Sequence, residues 1–196
     1  MQTFFVARPT AVLACAFLQF GSAIVLGLFT VSIFSQLKYF GVKAVGTGIA
    51  LFGGLMSAFN IMAATFFLWT LTYAGIAQDT PLLHALYRLS FAFGGIGFSV
   101  PLGLLIAGIS VTSGIYRLLP KWIVIFGLVV ALIGELSWFE MLTSNVIALI
   151  PLTRFPGFIW LITAGFALPK SRNRGENPPQ IPYVGSRFHC PQAPFP

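Results

Sequence analysis

The chain has 196 residues, of which 57% are hydrophobic and only 8% charged, and its mean hydropathy is +0.91. A soluble domain carries about 25% charged residues, so this sequence has too few charges to cover a water-facing surface, and its solvent is lipid. The net charge of +7 comes from basic residues that stand between apolar runs and in the C-terminal tail. They form no single footprint, so they argue against nucleic acid as a partner and for membrane topology.

Charges mark the boundaries of the predicted elements. The expected fold class is all-α: a polytopic transmembrane bundle of about five spanning helices in residues 1–168, followed by a tail in 169–196. No charge lies between Arg8 and Lys38, between Lys43 and Asp79, or between Arg88 and Arg117. Each interval exceeds the ~20 residues that span hydrocarbon, which predicts helices over 10–34, 45–75 and 89–114. Val12-Leu13-Ala14-Cys15 looks like a lipoprotein cleavage site, but a signal needs about 7–15 apolar residues before such a site. Arg8 stands too close for that, so the first segment reads as a retained helix. The second segment reads as one tilted helix that reaches beyond the bilayer.

The third helix carries Gly94-Gly95-Ile96-Gly97 and then Pro101. Proline removes a backbone donor and crowds the residue four before it, so a kink or break is expected here. From Lys121 to Lys170 the chain is too long for one span and contains Glu135, Glu140 and Arg154. Two spans fit, 120–140 and 146–168, with a turn near Thr143-Ser144-Asn145. The last 28 residues hold seven of the 13 prolines, which forbid a helix and predict a disordered cytoplasmic tail. Cys15 and Cys190 fall in the first helix and the tail, too far apart for the ~7 Å Cα separation of a disulfide.

Five spans put the termini on opposite sides of the membrane. With the C-terminus in the cytoplasm, Lys38, Lys43, Arg117, Lys121, Lys170, Arg172, Arg174 and Arg187 lie inside. Only Arg8 and Arg88 lie outside, and the positive-inside rule favours this orientation loop by loop. Tyr39, Tyr73, Tyr87, Tyr116, Trp122 and Trp138 fall near predicted helix ends, where amphipathic rings prefer the interface.

Glu135, Arg154 and Asn60 are the candidate intramembrane polar residues. A charge at mid-bilayer costs at least ~2.5 kcal/mol, so such residues turn inward and find partners. Glu135 is fourteen residues from Lys121 and Arg154 fourteen from Leu168, which sets both about 21 Å from the cytoplasmic face. An ion pair between them is the expected arrangement, with a proton relay or cation site at Glu135 as the alternative. Glu140, nearer the outer surface, is expected to be solvated. Asn60 and Gln19 are expected to bond across helices. Small residues every four positions (Ala23 and Gly27; Ala50, Gly54 and Ala58; Ser99, Gly103 and Ala107) predict close helix packing within the chain or between copies, the latter making a homo-oligomer. No Walker loop, complete G-x-G-x-x-G, zinc spacing or nucleophile–base pair is present, so no catalytic residue, metal or cofactor is expected.

The segment Leu119-Pro120-Lys121-Trp122-Ile123-Val124-Ile125-Phe126-Gly127-Leu128 opens an apolar, glycine-bearing helix with a Leu-Pro-basic-Trp motif. It resembles bacterial multipass membrane proteins grouped as a domain of unknown function, number 4386, over about residues 115–170. The resemblance implies a bacterial cell membrane and no established activity, and it carries over no catalytic residues. The sequence therefore leads to a non-enzymatic packing or accessory membrane protein, in contact with the lipid bilayer. The alternative is a small transporter or ion pathway built on Glu135 and the Gly/Pro-broken third helix.

Overall fold

The computed structural model describes residues 8–168 except 74 and 144–146. The tail over 169–196, with His189 and Cys190, and turn residues Ser144 and Asn145 lie outside the described residues. The described residues form six α-helices and two 3-10 turns, joined by turns and short connections. The helices are α1 (Pro9–Tyr39), α2 (Val45–Thr70), α3 (Thr80–Gly94), α4 (Ile96–Ile115), α5 (Lys121–Leu136) and α6 (Leu149–Ala167). Because α3 and α4 follow one another across Gly95, they form one long span. Five segments are long and apolar enough to cross a membrane: Pro9–Tyr39, Val45–Thr70, Thr80–Ile115, Lys121–Met141 and Leu149–Ala167. The chain is a membrane-embedded helix bundle.

Its packing is that of a protein in lipid. The outer surface is apolar, with Phe17, Leu18, Ile125, Ile162 and Phe166 each more than half exposed. The helix contacts use small residues instead. A Cβ on Gly53 would come within 2.6 Å of the Pro101 carbonyl and the Leu105 nitrogen, and one on Gly108 within 2.6 Å of the Gly46 carbonyl. So α2 and α4 touch backbone to backbone. Gly54 faces Thr30 and Gly27 faces Ala58, which closes α1 onto α2. Gly103 and Gly134 do the same for α4 and α5, against the carbonyls of Ala131 and Ser99. Lipid gives helices no hydrophobic drive to associate, and such close approach gains dispersion energy where bulky side chains would hold backbones apart. The small-residue ridges of the sequence are thus engaged within the chain.

Helix α4 is the centre of the bundle and contacts α2, α3, α5 and α6. Phe98, Leu102, Leu105, Ile106 and Ile109 along it are fully buried, as is Trp160 of α6, whose indole N–H donates to the Ile123 carbonyl at 2.7 Å. A buried indole needs such a partner.

Several boundaries differ from the sequence reading. The third span starts at Thr80 rather than 89, because Asp79 caps it by accepting from the Leu82 N–H at 3.3 Å and Pro81 occupies its first turn. Capping and a preset proline φ start a helix whatever charge follows. Arg88 and Tyr87 therefore lie inside α3, not in a loop. The span of 36 residues is about 54 Å long, more than a whole bilayer with headgroups. Its first turns project beyond the hydrocarbon, where Leu83 meets Val12 and Leu71 in a small separate cluster and where His84 and Arg88 are exposed. The second helix stops at Thr70 rather than 75, as the N–H groups of Thr72 and Tyr73 turn back to Trp69 and Thr70. The first helix runs on to Tyr39 rather than 34, and the last begins at Leu149.

Candidate functional site at the broken third span

The third span breaks at Gly95. The helical ladder runs as far as the Gly95 N–H, which donates to the Phe91 carbonyl at 2.7 Å, and resumes where the Ser99 N–H donates to Gly95 at 2.9 Å. Between them Gly95 leaves helical geometry, with φ −90° and ψ −93°. Only glycine fits, since a Cβ there would stand 2.6 Å from the Phe91 carbonyl and 3.1 Å from Ile150. The regular helical ladder is thus interrupted at Gly95. Polar groups that such an interruption frees must, in a membrane, find partners in the protein.

Side chains from the neighbouring helices supply several of them. Arg154 of α6 donates to the Gly94 carbonyl at 3.2 Å, and its guanidinium lies 4.7 Å from the Phe98 ring centroid. Asn60 of α2 donates to the Gly97 carbonyl at 2.7 Å. That carbonyl lacks its own helical donor because the residue four further on is Pro101, which has no N–H. Ser90, on the last turn of α3, donates to the Ala64 carbonyl at 2.9 Å. Gln19 brings its Nε2 within 3.6 Å of where a Gly94 Cβ would be. Asn60 and Arg154 are therefore brought to one place, on either side of Gly95.

Glu135 is not brought there. Its Oε1 is buried without a hydrogen-bond partner and lies 3.2 Å from the position of a Gly103 Cβ. The expected ion pair with Arg154 is not formed. The Cα positions of the two residues do share a level, but their side chains diverge. Arg154 reaches outward to Gly94 and Glu135 packs at Gly103, nine residues and about 13 Å apart along the span. From Ile115, Gly94 lies about 30 Å away by helical rise, about the thickness of the hydrocarbon. Arg154 thus snorkels toward the interface, which costs less than pairing at depth. Glu140, expected in solvent, sits in the 3-10 turn Ser137–Met141 with Oε2 buried and unpartnered.

A cleft of about 420 Å³ opens beside the break. Asn60 forms one wall, Ala92, Phe93, Ile96 and Gly97 another, and Trp138 and Met141 of the turn after α5 close it. These four span residues lie on either side of the break at Gly95. No charged side chain lines the cleft. Among the described residues no three His, Cys, Asp or Glu side chains come together to hold a metal.

Sequence reasoning marked the Gly-rich stretch and Pro101, and it named Asn60 and Arg154. It did not place them together, and it missed Ser90 and Phe98. The missing signal was tertiary: only the antiparallel register of α2 against the third span, with Gly53 at Pro101 and Ala64 at Gly94, sets Asn60 opposite Gly97. Comparison with family models, with curated proteins and with solved structures finds no match to this chain.

Proposed function

We propose that this chain is a non-enzymatic packing or accessory protein of a bacterial cell membrane, with its N-terminus outside and its C-terminus in the cytoplasm. The observation that carries this reading is the use of its intramembrane polar groups. Asn60 and Arg154 are both occupied in holding backbone carbonyls at the break, and a group so occupied is not free for chemistry. Eight basic residues against two support the orientation. The Leu119–Leu128 motif supports the bacterial setting and kinship with the family of unknown function it resembles. The apolar, exposed helix faces that meet lipid also leave room for a second copy of the chain.

A second reading, a proton or ion pathway, rests on Glu135. Its unpartnered Oε1 is joined by the unpartnered, fully buried hydroxyls of Ser99, Ser110 and Ser113. Ser99 and Ser110 lie on the α4 face that meets α5, where they approach Gly134 and Gly127. One experiment separates the two. A cysteine replaces Glu135 in the full chain with Cys15→Ser and Cys190→Ser, and a membrane-impermeant maleimide is added from each side of a proteoliposome. The accessory reading expects no labelling from either side. Labelling at 135 refutes it and establishes a water path to mid-membrane.

A further inference from the structure

We propose that the cleft at the Gly95 break is a binding site for a neutral, hydroxyl-headed membrane amphiphile, such as a long-chain alcohol. Four observations lead there. The first is size: about 420 Å³ falls within the range of small-molecule sites, roughly 300–1,000 Å³. The second is an unused acceptor. Asn60 is 9% exposed and donates its Nδ2 to Gly97, while its Oδ1 accepts no hydrogen bond. The third is the break itself: Ile96 and Gly97 line the cleft directly after Gly95, where the backbone leaves helical geometry. A hydroxyl is a small, neutral headgroup that donates to such an oxygen. The fourth is charge: no lining residue is ionisable, so an anionic or cationic head would enter without a counter-ion.

The position in the membrane agrees. Trp138 is half exposed in the turn that ends the fourth span, and indole rings sit at the interface. The polar end of the cleft is thus at the edge of the hydrocarbon. Val100 and Pro101 continue it inward, along the direction in which an alkyl chain would lie. Such a site serves an accessory protein and a pathway alike, so it stands apart from the choice between them.

The test uses the full chain in phosphatidylcholine nanodiscs with three photoreactive probes of equal chain length, each carrying a diazirine on the chain: an alcohol, a fatty acid and an alkane. The alcohol is expected to label the peptides around residues 92–101 and 138–141, and excess unlabelled alcohol to suppress this. The acid and the alkane are expected to label about fivefold to tenfold less, the worth of one or two hydrogen bonds. Ala92→Phe, which fills the cleft from an exposed position, is expected to bring alcohol labelling down to the alkane level. Asn60→Leu is expected to do the same in a Pro101→Ala background, where residue 101 supplies its own donor to Gly97. Equal labelling by all three probes would overturn the proposal in favour of a plain lipid-facing groove. Strongest labelling by the acid would overturn it in favour of an anion site at the start of α4. The series on the unaltered chain decides this even if a variant fails to fold.

Discussion

Arg154 and Glu135 are charged groups on neighbouring helices of a membrane protein, and they take different routes out of the same difficulty. The guanidinium has a long stem and five donors, so it reaches the edge of the hydrocarbon, finds the Gly94 carbonyl and covers the Phe98 ring. The carboxyl has a short stem and stays at Gly103. A double-mutant cycle on Glu135→Gln and Arg154→Gln in nanodiscs is therefore expected to give a coupling below about 0.5 kcal/mol, the level of residues that share no partner. A coupling above about 1 kcal/mol would mean that the two do pair. Asn60 acts differently, because its partner carbonyl lacks a helical donor on account of Pro101. Asn60→Leu alone is expected to destabilise by about 1–2 kcal/mol, since it leaves the Gly97 carbonyl unpaired. In a Pro101→Ala background the same change is expected to cost less than about 0.5 kcal/mol, because the restored N–H completes the ladder. Thermal melting of the four proteins in detergent reads the difference, and equal costs in both backgrounds would refute the link.

Among the elements, the helices themselves were legible and their ends were not. Charge-free runs sufficed to find three spans, and the length of the apolar stretch from Lys121 to Lys170 the other two, because insertion responds to hydropathy over ~20 residues. They failed at Thr80 because Asp79 and Pro81 start a helix locally, and the sequence reading used Arg88 as a boundary instead. The glycines show a similar division. Those at four-residue spacing were recognised as packing residues, but spacing does not say what each one faces. Gly53 and Gly48 lie on the same helix with opposite surroundings: a Cβ at 53 meets the backbone of Pro101 and Leu105, and one at 48 meets nothing within 4 Å. Gly53→Ala is expected to lower stability by about 1–3 kcal/mol, the cost of overpacking a tight contact. Gly48→Ala is expected to leave it unchanged or raise it by up to about 1 kcal/mol through helix propensity. Comparable melting temperatures for the two variants would show that α2 and α4 do not meet backbone to backbone.

The whole molecule is asymmetric along its axis. One end is extended, since α1 and the third span run past the rest of the bundle there and the third span carries His84 and Arg88 on exposed turns. Its other end is compact, with Phe40–Ala44 and the 116–120 segment as short connections between spans. Lys43 and Lys121 border these connections, and positive charge next to short connections resists translocation. The order of the charges is plain in the sequence, whereas the break at Gly95 needed three helices in register before its partners could be seen. The same asymmetry makes orientation testable with single cysteines in a Cys15→Ser, Cys190→Ser background. Lys43→Cys and His84→Cys both replace exposed residues outside the bundle core, so neither change should disturb folding. In right-side-out cells an impermeant maleimide is expected to label position 84 and to reach position 43 only after the membrane is opened. The reverse pattern would invert the molecule. Labelling of both positions from outside would place the two connections on one face, which an odd number of spans between them forbids and which would remove α2 as a crossing helix.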